Sequence, residues 1–478
     1  MTYERDGIMM NIDELKIQEF TEEIQKQGYQ ALCIWQPAYN VGGGTFILYH
    51  LAEFISKNTT LKTYYVDYEK GYPHSLAPKE SDVIFLNYRE GDCELPIKEP
   101  VILITNTTRA SQITNMHPES KVVLWHYETF RCGWESVFFF NETPSFFKLM
   151  RDNHAIFYHD WSGRMSMNMQ CNSVQFDNKD YLQVCLEPFK NAKCPDLVDI
   201  GSINAGWIGR LGHDKINALY NMIECFADVK TPHKKRLFII GDGAYRNDVE
   251  NFCTKFEKDI EFTFTGTIPH EDLPQYLYNN IDVLFAVGTS VIEGARLQLP
   301  SVILMVSPRP YKMNSFIWLY DTKEYCVSIL PQHKDVFGVK YTTMESICAE
   351  ICEHGKKQEI GNRCYEYYVE NHSCYEEIAS KFLGFCAKST LKFSQLKKCI
   401  KFIPYNIIKA SQFCVKGHAV LSRVEYRNMI KYKIFSKTYF ELRKEKNITF
   451  YYLAGRIKLP FYRKSVSGYK FPSSLFKG

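Results

Sequence analysis

Apolar positions near the start of the chain recur at helical spacing. Ile12, Leu15, Ile17, Phe20 and Ile24 lie among Asp, Glu, Lys and Gln, which predicts an amphipathic helix within residues 1–30. The pattern then changes. A continuous apolar run, Ala31-Leu32-Cys33-Ile34-Trp35, is followed by Gln36-Pro37, by Gly42-Gly43-Gly44 and by a helix-period stretch over 45–55. Strand, glycine turn and helix in that order open a βαβ unit. Further short apolar runs at 82–87, 101–105, 121–125, 155–158 and 181–185 are apolar on both faces, as strands of a parallel sheet covered by helices must be.

A second series of the same kind starts near Ile200. The pattern predicts strands over 205–208, 236–240, 260–264, 282–287 and 301–306, with helices over 215–226 and 273–278. Residues 344–354 place Met344, Ile347, Cys348 and Ile351 on one helical face and stop at Gly355. The resulting division is an N-terminal helix (1–30), a first α/β domain (31–198), a second (199–386) and a C-terminal segment (387–478). A chain of 478 residues is too long for a single core, and a cleft between two such domains is the default place for a ligand.

Composition changes this picture in two places. Sixteen cysteines are scattered singly, without Cys-x-x-Cys pairs or histidines at zinc spacing, so they read as buried thiols in a reducing compartment. Residues 1–28 carry acidic groups throughout and lack an apolar signal core, and no run is long enough to span a bilayer. Charge is uneven. Residues 391–478 hold 20 Lys/Arg against 3 Asp/Glu, a net +17, while the rest of the chain holds 38 against 51, a net −13.

The segment richest in chemistry is Gly288-Thr289-Ser290-Val291-Ile292-Glu293-Gly294-Ala295, between two apolar strands. A strand that ends at glycine and turns at once into a helix presents backbone N–H groups to an anion, and an acidic residue one turn later can reach ribose hydroxyls. Ser290-x-x-Glu293 also fits a capping box, in which Glu293 only bonds back to the Ser290 backbone.

The order of motifs resembles the glycosyltransferases of the GT-B fold, two Rossmann-like domains facing a cleft, and among them the large retaining group known as family 4. The resemblance covers the second domain from about Gly206 to Phe385, the first loosely and the tail not at all. It rests on Gly209-Arg210-Leu211 with Lys215 five residues after the arginine, on Ile239-Ile240-Gly241-Asp242-Gly243, on Phe264-Thr265-Gly266-Thr267-Ile268 and on the Gly288 segment. It implies that Arg210 and Lys215 neutralise the departing nucleoside diphosphate. Gly266 and Ile268 would lie beside the base, with backbone contacts from Gly288, Thr289 and Ser290 to the phosphates and Glu293 on the ribose. Gly43 and Gly44 would face the donor from the first domain, and His126 would orient the sugar, with His159 and Asp160 as alternatives. Two departures stand out: Ile216 replaces the glycine that usually follows the lysine, and the first glutamate of the family's pair would fall at Phe285. Asp242 reads as a turn residue.

No Asp-x-Asp occurs, which argues against the metal-dependent GT-A class; no metal and no cofactor beyond the nucleotide-sugar substrate is expected. The tail interleaves cations with aromatics, as in Lys397-Lys398, Phe402, Tyr405, Lys431-Tyr432-Lys433, Phe435, Tyr439-Phe440, Arg443-Lys444, Tyr451-Tyr452 and Tyr462-Arg463-Lys464. Such a segment suits an anionic membrane surface. A solvated tail and a nucleic-acid surface are the alternatives, the latter without any RNP, KH or zinc-knuckle pattern. The expectation is a bacterial-type transferase of a sugar to a lipid-linked glycan in surface-polysaccharide synthesis, cytoplasmic and peripheral on the inner face of the plasma membrane. A nucleotide-sugar epimerase of the same fold and a non-catalytic binding protein are its rivals.

Overall fold

The computed structural model describes residues 2–5, 8–39, 41–89, 95–110, 113, 115–127, 143–170, 174–189, 193–399, 407–415, 418–426, 429–434, 437–445, 448–454 and 457–464. A hairpin of β1 (Thr2–Arg5) and β2 (Ile8–Asn11) comes first, and the expected N-terminal helix follows as Ile12–Lys26. Asn11 accepts from the N–H of Asp13 and Glu14, and Glu14 bonds back to the Asn11 N–H, so a capping box fixes where the helix starts.

The first α/β domain holds a six-stranded sheet of β3 (Ala31–Trp35), β4 (Lys62–Tyr68), β5 (Ile84–Tyr88), β6 (Ile102–Thr105), β7 (Lys121–His126) and β8 (Ile156–Tyr158). The second holds β9 (Ser202–Ile208), β10 (Lys234–Ile240), β11 (Glu261–Gly266), β12 (Val283–Ala286), β13 (Ser301–Ile303) and β14 (Ile317–Trp318). Their spatial orders are β5-β4-β3-β6-β7-β8 and β11-β10-β9-β12-β13-β14, so both run 3-2-1-4-5-6 in the domain's own count. All neighbours are parallel except β13 with β14. Every residue of β3, β6, β7 and β12 is buried, the condition that made these runs apolar on both faces.

Several elements differ from the expectation. Residues 181–185 form no strand: Tyr181 makes only an isolated bridge to Tyr158, although Leu182 and Cys185 are buried. β4 was not predicted, because Lys62 and Asp67 interrupt its apolar run. The helix expected over 344–354 runs as Met344–Cys348 and then widens into a π turn, Ala349–Glu353.

The expected boundary at 386 falls inside the helix Tyr375–Lys388, which packs on Ile12–Lys26 and on the first-domain helix Gly43–Asn58. Tyr375 stacks on Phe54 and Phe385 on Phe157, with ring centroids 6.0 and 4.8 Å apart. The chain therefore crosses back and closes the first domain's core. Beyond it, part of the basic tail is an antiparallel meander, with register shifts in three of its five strand pairs: β15 (Ile407–Val415), β16 (His418–Tyr426), β17 (Met429–Ile434), β18 (Lys437–Glu445), β19 (Ile448–Leu453) and β20 (Ile457–Lys464). Tyr432, Phe440 and Tyr451 line up across three of its strands, while Ile434, Leu453 and Ile457 are exposed. Phe402, Tyr405 and Phe435 lie outside the described residues. No helix among the described residues is long and apolar enough to cross a membrane.

Candidate active site at two facing switch points

In a 3-2-1-4-5-6 sheet the chain leaves strands 1 and 4 in opposite directions, which opens a crevice at their carboxyl ends. In the second domain those strands are β9 and β12, and the register pairs Ile208 with Ala286. Gly209-Arg210 and Val287-Gly288 therefore leave the sheet side by side, on strands about 4.8 Å apart. Two motifs separated by some 75 residues of sequence meet at one edge.

Arg210 is exposed and pairs with Asp214 at 3.0 Å. Lys215 is the N-cap residue of the helix Ile216–Asp228, with its own N–H on the Gly212 carbonyl at 2.9 Å. Burial pulls the Lys215 ammonium below the ordinary lysine value; Asp214 opposes that shift and Arg210 reinforces it. The family's glycine position is taken by Ile216, which packs into the core. Asp242 acts at its turn, its carboxylate accepting from the Gly243 N–H at 2.7 Å.

Gly288 has φ +67°, a left-handed conformation that side chains rarely adopt, with no atom within 4 Å of where a Cβ would stand. The glycine is required by the backbone and not by crowding. Its N–H is not available to a ligand, because it donates to the Val327 carbonyl at 3.0 Å. The outward donors at this turn are those of Thr289 and Ser290, which open a helix of seven residues, Thr289–Ala295.

The capping-box alternative for Glu293 does not form: the cap is Gly288, and no side chain bonds to it. Instead Glu293 Oε2 lies 2.6 Å from Arg296 Nε, out of line for a hydrogen bond, and Oε1 lies 3.9 Å from His270 Nδ1. Arg296 is 7% exposed and reaches the Glu187 carbonyl at 3.4 Å. The loop that follows Gly266 and contains Ile268 thus folds over the helix carrying Glu293. Phe285, where the family's first glutamate would fall, is inside β12, 1% exposed and edge-on to Phe316. Counting eight residues back from Glu293 lands in a strand because only Val287 separates β12 from the Gly288 turn.

The first domain's switch point lies between β3 and β6. Gln36 and Asn106, just beyond those strands, both donate to the Tyr127 hydroxyl, at 2.8 and 3.1 Å. A Cβ on Gly44 would come within 2.9 Å of the Tyr127 ring, and one on Gly43 would overlap the Thr289 hydroxyl. The two glycines expected to face a ligand are thus fitted against protein, and Gly43 brings the two switch points into contact. Phe46 extends the junction to His270, ring centroids 5.6 Å apart. His126 ends β7 at 2% exposure; its carbonyl accepts from the His159 N–H at 3.1 Å. An open groove of about 980 Å³ lies at the amino ends of β10 and β11, lined by Lys230, Lys234, Lys258 and Phe262 among others, and gathers none of the expected site residues.

Sequence reasoning missed Arg296, His270, Gln36 and Tyr127. Only Arg296 left a signal, three residues after Glu293 on one helical face.

No protein-family profile matches the chain. It is similar to alpha-monoglucosyldiacylglycerol synthase of Streptococcus pneumoniae, 22% identical over 249 residues that cover 49% of this chain and 52% of that protein. The chain thus matches about half the length of this curated relative. Among solved structures it is similar to a glycosyltransferase from Rickettsia africae ESF-5, with a TM-score of 0.48, 10% identity and coverage of 75% of this chain and 98% of that one. Anabaena HepE in complex with UDP and glucose gives a TM-score of 0.47, 10% identity and coverage of 74% and 98%.

Proposed function

We propose that this chain is a glycosyltransferase that moves a sugar from a nucleoside-diphosphate donor to a glycan or lipid-linked acceptor. The observation that carries the reading is the pairing of Ile208 with Ala286, which sets Arg210 and the turn at Gly288 side by side at a switch point. As the glycosidic bond breaks, its electron pair goes to the diphosphate oxygen, and cations fixed where that charge grows lower the barrier. Arg210 offers a fork to two phosphate oxygens and Lys215 a point charge. The N–H groups of Thr289 and Ser290 complete the cradle, and Glu293 accepts from ribose hydroxyls. Gly266 and Ile268 border the base. His126 orients the sugar from the first domain once the donor is bound. The acceptor hydroxyl forms the new bond to the anomeric carbon and passes its proton to a phosphate oxygen if the stereochemistry is retaining.

A lipid acceptor accords with the curated relative, whose name describes a glucosylated diacylglycerol. The basic meander β15–β20, with Ile434, Leu453 and Ile457 exposed, would hold the enzyme on an anionic leaflet, each Lys or Arg adding about 1 kcal/mol near the surface. Under the same proposal the chain works on the inner face of the plasma membrane, in bacterial surface-polysaccharide synthesis, and the basic meander is the feature that supports the membrane part of it.

The test is a screen of nucleotide-sugars against extracted lipid-linked oligosaccharides and diacylglycerol, read by mass spectrometry. A glycosylated acceptor supports the reading. Conversion of the donor sugar without any acceptor would make the chain an epimerase. For the membrane part, the full chain should co-sediment with phosphatidylglycerol vesicles and not with phosphatidylcholine ones; equal recovery from both would remove it.

A further inference from the structure

The turn at Gly288 is held from an unexpected direction. Its N–H donates to the carbonyl of Val327, in a segment where Glu324 and Tyr325 both have positive φ, +48° and +59°. The two residues are the centre of a turn closed by the Cys326 N–H on the Lys323 carbonyl at 3.1 Å. The first domain grips this turn from outside. Trp161 N donates to the Glu324 carbonyl at 3.1 Å, and the Glu324 carboxylate accepts from Lys179 Nζ at 2.8 Å, from Arg164 at 3.4 Å and from the Tyr181 hydroxyl.

The inner end of this segment is held by Asp160, which is fully buried. One carboxylate oxygen accepts from the Gly163 N–H at 2.8 Å and so caps the first-domain helix Trp161–Gln170. The other accepts from the Val327 N–H at 3.2 Å and lies 2.9 Å from His159 Nε2. A single residue, Val327, therefore carries both ends of the link, with its N–H on Asp160 of the first domain and its carbonyl on Gly288 of the second.

We propose that Asp160 is a positioning residue: through the backbone of Val327 it sets where the Gly288 turn stands, and so ties the first domain to the diphosphate end of the donor. Glu324 is the outer anchor of the same strap. This rests on the functional reading above and deepens it, since neither residue touches the donor. A misplacement of about 1 Å in such a turn is enough to cost up to a hundredfold in rate.

Two variants separate the strap from the fold. Asp160→Ser keeps a hydroxyl that can cap Trp161–Gln170 but lacks the second oxygen for Val327. Glu324→Gly cuts the outer anchor while removing the strain at that φ, so it does not unfold for want of a permitted backbone. With melting curves as the fold control, calorimetry compares UDP with uridine, and GDP with guanosine, on each full-length variant. The expectation is a loss of about tenfold in diphosphate affinity, with nucleoside affinity unchanged, and a fall in donor kcat that exceeds any rise in KM. Equal losses for nucleoside and diphosphate, or unchanged affinities and turnover in two folded variants, would overturn the proposal. A wild-type chain that binds neither UDP nor GDP would instead defeat the functional reading, and the strap's role with it, before any variant is compared.

Discussion

The two domains repeat one sheet order and differ in what stands at its carboxyl edge. At the second domain's edge are Arg210, paired with Asp214, Glu293, beside Arg296 and His270, and Lys215, all of one domain. At the first domain's switch point Gln36, Asn106 and Tyr127 meet, and the charged groups nearby are tied to the domain itself: Arg109 to the Pro37 carbonyl at 2.8 Å, and the buried Asp67 to the Ala38 N–H at 3.1 Å and to His74 at 3.0 Å. Topology alone supplies a crevice; side-chain charge decides what it can hold. Under the proposed function the diphosphate would lie at the second edge and the acceptor hydroxyl at the first.

That contrast can be broken most sharply at Lys215. Lys215→Ala should reduce donor turnover by about 100- to 1000-fold, corresponding to the roughly 2.7–4 kcal/mol that one preorganised donor contributes, while Gln36→Ala leaves nucleotide affinity unchanged. Equal effects of the two on UDP or GDP binding would erase the division of labour. Glu293→Ala should lower kcat/KM by about tenfold or more, mostly through KM, because a ribose contact would act in ground and transition states alike.

Gly43→Val tests whether the edges work in contact. Its side chain would overlap Thr289, so turnover should fall by about tenfold through separation of the edges, and Thr289→Gly in the same chain should recover part of it. The smallest effect expected is on pH. Lys215 holds its proton less firmly than an ordinary lysine, so its charge is lost as pH rises through a value below the usual lysine range. Turnover should therefore decline on the alkaline side, and Lys215→Arg should move that decline to higher pH; a profile unchanged by the substitution would separate Lys215 from the diphosphate.

The second domain's edge was legible because each motif is a strand, a turn and a helix start within a few contiguous residues, where periodicity and glycine placement carry the information. Contacts that depend on how distant segments fold over one another were not. His270 reaches Glu293 only because the loop after β11 crosses the helix, and Val327 reaches Gly288 from almost forty residues away. Burial misled at 181–185, where an apolar segment lies under the helix Lys357–His372, the Leu186 N–H donating to the His372 carbonyl, without joining a sheet. The tail was read by composition. One strand, β17, alternates cations with apolar residues at a period of two in Lys431-Tyr432-Lys433-Ile434, and that short stretch was the available strand signal.

A crystal structure with UDP or GDP bound would show directly where the nucleotide sits. The diphosphate should lie between Arg210, Lys215 and the N–H groups of Thr289 and Ser290, with the ribose on Glu293. A nucleotide seated instead in the lysine-lined groove at the amino ends of β10 and β11, or at the first domain's edge, would contradict it.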